Sequence, residues 1–223
     1  MTRRGLLLFA AMGVVWGIPY LLIRVAVAEI SPALLVFART AIAAAILLPI
    51  ALARVDLRAV LRHWPWVVAF GVIEVAIPWV LLGAAEQRIS SSLAGLLVAA
   101  VPLVGATIAT ILGGADRVGR RQLAGLLVGF AGVAGIAGGD FRAENATALV
   151  QMAVVVVCYA AGPFILSRRL VGVSSLGIMA ISITLAAVIY TPVAVLHWPA
   201  LPPRLGAKDP PHDPADDPRR QAD

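Results

Sequence analysis

The sequence predicts an all-α integral membrane protein. Seven transmembrane helices are expected, as a five-helix repeat followed by the first two helices of an inverted second repeat. Three observations carry this: the composition, the length and spacing of the apolar runs, and an internal repeat. The chain of 223 residues is 61% hydrophobic and 13% charged, with a mean hydropathy of +0.93. A soluble domain is about half apolar and about a quarter charged, so this chain has too few charges to cover a water-facing surface. The net charge of +6 lies as short arginine clusters between apolar runs. No basic face with interleaved aromatics forms, which argues against nucleic acid as a partner.

The apolar runs are Leu6–Val27, Pro32–Ala53, Pro65–Ala85, Ser91–Leu112, Gln122–Gly138, Ala146–Leu166 and Leu176–Leu196. A helix of 21 or 22 residues covers about 32 Å, enough to cross a hydrocarbon core of about 30 Å. Helices are required because lipid offers no partner to an open strand edge. Arg3 and Arg4 before the first run, with Ala26-Val27-Ala28 after it, resemble a signal peptide. Arg24 interrupts the approach to that site and six further runs follow, so the first run is taken as a span.

Arginine distribution sets the expected orientation. With the N-terminus cytoplasmic, the inner segments hold Arg3, Arg4, Arg54, Arg58, Arg62, Arg117, Arg120, Arg121, Arg168 and Arg169, and the outer loops only Arg88 and Arg142. Arg58 and Arg117 are thus expected inside, and Glu86 and Arg142 in outer loops. Multi-pass insertion in a bacterial cytoplasmic membrane follows as the expected location.

Pro19-Tyr20-Leu21-Leu22-Ile23-Arg24 returns as Pro163-Phe164-Ile165-Leu166-Ser167-Arg168, and Leu48-Pro49-Ile50-Ala51-Leu52 as Thr191-Pro192-Val193-Ala194-Val195. The offsets are nearly equal and the order is kept, so five spans form the repeat unit. An odd number inverts the second copy, the plan of many secondary transporters. The expected organisation is a first repeat over 1–139, a partial second repeat over 140–198, and a disordered polar tail over 199–223. From Pro199 the chain is rich in Pro, Asp and Arg, which cannot continue a helix. A polar tail and a frameshift that replaced three helices are both readings of this change.

Trp16-Gly17 in the first span, Ser31-Pro32 and Arg39 in the second, Pro102 and Ser91-Ser92-Leu93-Ala94-Gly95-Leu96-Leu97 in the fourth, and a glycine-rich fifth span form an ordered set. In these residues the chain resembles the EamA drug/metabolite transporters. The resemblance spans roughly residues 8 to 197. It implies a ten-helix, inverted-repeat carrier of small metabolites, embedded in the lipid bilayer and without a cofactor. Set against that plan, the chain lacks three helices, so a homodimer or a partner subunit is expected to complete it. The competing expectation is a non-transporting assembly subunit.

Glu74 is the first candidate for chemistry. It lies about 13 Å into its span, near the midplane, where a carboxyl group marks a binding or proton-relay role or bonds a neighbouring helix. Pro78 cannot donate to the Glu74 carbonyl, which leaves an acceptor beside the acid. Arg39, about 10 Å into the second span, is the expected partner of Glu74, as a structural ion pair or as a substrate ligand. Trp16, Tyr20 and Arg24 recur every four residues and share one helix face. They line a transport cavity or lie in the interfacial belt, with Arg24 near enough to the outer end to snorkel. Pro19 and Pro163 interrupt the backbone ladder at matching places in the two repeats, and Pro102 is expected to kink the fourth span. Gly125, Gly129 and Gly132 have the spacing of close helix packing.

Other classes find little in the sequence. His63, His197 and His212 lack metal-ligand spacing, so no metal is expected. Ser90-Ser91-Ser92 and Cys158 have no histidine base nearby, and Cys158 is expected to act as a small buried hydrophobe. Lys208, the single lysine, lies in the tail, which excludes a retinal Schiff base within the membrane.

Overall fold

The computed structural model describes residues 3–111, 119, 121, 123–125, 127–128, 131–132 and 146–196. All regular secondary structure among them is helical. Among the described residues, six helical segments are long and apolar enough to cross a membrane: Gly5–Glu29, Pro32–Arg54, Trp64–Glu86, Ser91–Ala109, Ala146–Arg169 and Ser175–Leu196. The expected span Gln122–Gly138 falls largely outside the described residues, as do Gly129 and the tail. At Gly125 and Gly132, expected to pack closely on another helix, an added Cβ would meet nothing within 4 Å among the described residues.

Helix α1 (Arg3–Glu29) ends three residues before Pro32. There Ser31 caps α2 (Pro32–Arg54), its hydroxyl accepting from the Leu34 amide at 3.3 Å. Proline suits this first position because its missing N–H would have had no partner there. A short helix, α3 (Leu57–Leu61), follows in a segment the hydropathy pattern left as a loop. Asp56 caps it by accepting from the Arg58 amide at 3.0 Å.

The third crossing comprises α4 (Trp64–Gly71), a π-helical turn (Val72–Ala76) and α5 (Ile77–Glu86). Pro78 accounts for the wide turn: it has no N–H for Glu74, and its ring would clash with that carbonyl in a regular helix. The Ile77 amide instead reaches back to the Val72 carbonyl. The fourth crossing is interrupted too. Helix α6 (Ser91–Val98) stops before Ala99, and α7 (Val101–Ile111) restarts with Pro102 in second place. The expected kink at Pro102 is therefore a break between two helices. Helices α8 (Ala146–Arg169) and α9 (Ser175–Leu196) complete the described fold. Gly172, at φ 75°, makes the turn between them. Left-handed backbone of this kind is open to glycine without a Cβ clash.

Helix α9 runs along α2, while α5 lies against α8, α2 and α1. At the Glu86 end, Ile23, Val27, Leu82, Ile89, Leu93 and Met152 form one buried cluster. At the opposite end, Val60, Val67, Phe70, Leu170 and Ile178 form another. Between them Val75 and Ala76 of the π turn pack on Ala186. Aliphatic side chains such as Leu7, Leu22, Ile46, Val150 and Val188 face outward, as a lipid-facing surface requires.

The prolines that the sequence comparison pairs stand inside their helices: Pro19 in α1 and Pro163 in α8, Pro49 in α2 and Pro192 in α9. Helix α8 extends past the predicted Leu166 to Arg168 and Arg169. Arg169 stacks over the Trp66 ring at 4.5 Å, and cations at a helix C-terminus also offset its dipole.

Candidate functional site

The π turn sets the site. Glu74 lies in it, ten residues after Trp64, so about 15 Å along a crossing of about 34 Å. A π turn inside a helix frequently accompanies a functional residue. The Glu74 carboxyl abuts Gly162 of α8, where any side chain would collide with it. Its Oε2 is buried and finds no hydrogen-bond partner among the described residues.

Glu74 lines a cavity of about 620 Å³. Helix α1 contributes Val15, Pro19, Tyr20 and Ile23 to its wall, and α2 contributes Arg39. The third crossing adds Glu74, Val75, Trp79 and Leu82, and the fourth adds Val98 and Val101. Tyr159 comes from α8 and Met179 from α9.

Four prolines act on this wall through the backbone. Pro19, Pro78, Pro102 and Pro163 each lack the N–H that would bond the carbonyl four residues earlier. Those carbonyls belong to Val15, Glu74, Val98 and Tyr159, and all four residues line the cavity. Four crossings thus have their regular ladders interrupted around one space.

Arg39 also lines the cavity, but its partner is not the expected one. Its guanidinium lies 4.5 Å above the centre of the Trp79 ring. Among the described residues no ion pair joins Arg39 to Glu74. Trp79, five residues beyond Glu74, occupies the level at which the arginine enters. Counting along helices gives depth, and the side chain between the two charges was not visible to that count.

Tyr20 lines the cavity, and its carbonyl accepts from the Ser91 hydroxyl at 3.3 Å. Arg24 does not line it. It donates to the Ile89 carbonyl in the turn between α5 and α6, where Gln87 Nε2 also donates to the Val27 carbonyl at 3.2 Å. Arg24 therefore ties α1 to that turn. Of Trp16, only its place in α1 is described.

Sequence reasoning missed Trp79, Tyr159 and Glu86. Glu86, expected in an outer loop, is the last residue of α5 and is 1% exposed. Among the described residues, neither of its carboxyl oxygens has a hydrogen-bond partner. The clue was available: Val75, Trp79, Leu82 and Glu86 follow i, i+4, i+7, i+11, which is one helix face. Among the described residues, no three His, Cys, Asp or Glu side chains come together as a metal site. Cys158 is a free, half-buried thiol.

The arrangement is an apolar chamber with one acid at mid-crossing, a cation held over an indole, and two phenol hydroxyls. The model of the EamA-like transporter family matches residues 3–138, more than half of the chain. No curated protein matches the sequence, and no solved structure does.

Proposed function

Because the chain belongs to the EamA-like transporter family, we propose that it works as a secondary carrier of small metabolites or drugs in the cell membrane, coupled to protons through Glu74. The supporting observation is Glu74 itself. An acid at mid-crossing, buried at Oε2 without a hydrogen bond and seated on a glycine, opens onto a cavity wall. Structural acids in membranes are normally paired. A volume of about 620 Å³ falls within the range of about 300–1,000 Å³ usual for small-ligand pockets. The largely aliphatic and aromatic wall favours an amphiphilic substrate, with Arg39 and Tyr20 as polar contacts.

The N-terminus is cytoplasmic in this reading, on the strength of the arginine bias. In this reading a partial second repeat makes α8 the counterpart of α1 and α9 that of α2; Pro19 lines the cavity, and so does Tyr159, one turn before Pro163. Interrupted helices at matching places are where inverted-repeat carriers hold substrate. The breaks at Ala99 and at the π turn supply the points at which the crossings flex.

Reconstitution in vesicles with an internal pH dye tests this reading. A panel of amphiphilic metabolites is added under an imposed proton gradient. At least one should drive proton movement, and Glu74→Gln should abolish it in a protein of unchanged helicity. Proton movement that persists in Glu74→Gln would remove Glu74 from the coupling site. Binding to a partner chain with no flux of any compound would favour the assembly-subunit reading.

A further inference from the structure

The two ends of the bundle carry different charge. At one of them Arg54, Arg58, Arg62, Arg168 and Arg169 are all exposed. The buried cluster of Val60, Val67, Phe70, Leu170 and Ile178 packs α3 and α4 there against the end of α8 and the start of α9. Among the described residues the acid at this end is Asp56, whose side chain is occupied in capping α3. No ion pair engages any of the five arginines among the described residues. At the opposite end the balance is reversed: Glu29 and Glu86 are there, Arg24 donates to the Ile89 carbonyl, and Arg88 is the exposed cation.

The backbone and two aromatic rings fix how these cations are presented. The Arg62 amide donates to the Arg58 carbonyl at 3.1 Å, so the two side chains lie one turn apart on one face. Val60, on the other face, is buried, which turns the arginine face outward. Like charges at this spacing repel, and a bound anion would offset that repulsion. Arg169 lies 4.5 Å over the Trp66 ring, and Arg168 5.7 Å over the Phe164 ring. Stacking holds a guanidinium flat and leaves its N–H edge free to grip a phosphate through two hydrogen bonds. Trp66 is four residues beyond Arg62, so the stack brings Arg169 of α8 to the segment that carries Arg58 and Arg62.

Leu61, Trp64 and Val171 are exposed beside these cations. Indoles at the end of a membrane crossing sit at headgroup level, where a lipid phosphate has its own acyl chains alongside. A dissolved phosphate would gain nothing from such apolar neighbours. Basic pockets between membrane helices are suited to anionic headgroups. We propose that this end of the bundle binds an anionic phospholipid, its phosphate held by Arg58 and Arg62 on one side and Arg169 on the other. The lipid thereby joins the end of α8 to the α3–α4 segment. None of these arginines lines the cavity, so the site stands apart from the proton-coupled reading of Glu74.

Headgroup-directed photo-cross-linking of the full chain in vesicles tests this. The vesicles are phosphatidylcholine with a minor share of phosphatidylglycerol that bears a diazirine on its headgroup. Labelled peptides should come from the segment between Arg54 and Trp66 and from the end of α8. Unlabelled phosphatidylglycerol should compete, and neither added phosphatidylcholine nor inorganic phosphate should. Arg62→Gln and Arg169→Gln should each lower the labelling about fivefold, the effect of one cation near an anionic surface. Arg169→Lys keeps the charge without the planar stack and should lower it less. Arg88→Gln, at the opposite end, should leave it unchanged. Equal labelling at both ends, competition by phosphatidylcholine, or an equal loss in Arg88→Gln would overturn the site in favour of general charge attraction. Competition by inorganic phosphate would overturn the lipid as its occupant. The labelling pattern and the competition are read on the wild type, so they decide the matter even if a variant fails to fold.

Discussion

Helices α8 and α9 each approach a neighbour through a glycine, and the two contacts differ in kind. A Cβ at Gly177 would fall 2.7 Å from Val60 Cγ2 and 3.2 Å from Val55 Cγ1. Both obstacles are β-branched and stiff at χ1, and Val60 is buried in its cluster. Gly71, against the Ser182 backbone at 3.1 Å, is a similar seam. At Gly162 the obstacle is the Glu74 carboxyl, the far end of a flexible side chain. One glycine lets two helices close, and the other clears a place for an acid. The same small residue serves packing where its neighbour is rigid, and positioning where its neighbour can move.

The comparison can be broken at either glycine. Gly162→Val should displace the Glu74 carboxyl and lower proton-coupled uptake by about a hundredfold, the order expected of a misplaced reacting group. Thermal melting in detergent should scarcely change, because the acid can rotate away. Normal uptake in that variant would show that Gly162 does not position Glu74. Gly177→Val should do the reverse. Overpacking costs about 1–3 kcal/mol, visible as a lower melting temperature, while uptake per folded molecule stays near the wild-type value.

Two smaller changes sharpen the contrast. Tyr190 of α9 donates to the Ala76 carbonyl at 2.9 Å and so ties α9 to the π turn. Tyr190→Phe should cost about 0.5–1.5 kcal/mol in chemical denaturation, and a null result would mean that the π turn holds without α9. Arg39→Lys keeps the charge but loses the planar stack on Trp79. The expected loss is about 0.5 kcal/mol, near the lower limit for such contacts. A double-mutant cycle with Trp79→Leu measures it, and a coupling of zero would mean that the stack contributes nothing.

Much of the site could be counted from the chain, because depth in a membrane helix is a matter of residues from its end. That count places Glu74 near mid-crossing and Arg39 between it and the Glu29 end. It could not supply azimuth. Trp79 between the two charges, Tyr159 on α8 and the burial of Glu86 all depend on which faces meet. Glu86 was lost for a further reason. At the end of an apolar run, a charged residue is ordinarily assigned to water, and here α1 and α8 pack over that end. Pro78 was legible as a missing donor, while the π turn around Glu74 emerged only with the backbone.

Composition and apolar period by themselves determined that the chain crosses a membrane as helices, because a backbone in lipid must satisfy its own hydrogen bonds. Ser31-Pro32 and Ser90 determined where helices begin, because caps and proline act within a few residues. Short-range chemistry of that kind is written in the order of the chain. Tertiary packing alone decided that the four residues one turn before these prolines line one cavity, that Arg39 rests on Trp79, and that Glu86 is enclosed. These depend on contacts between residues far apart in sequence, and with all sides of each helix nearly equally apolar, hydropathy does not say which side turns inward.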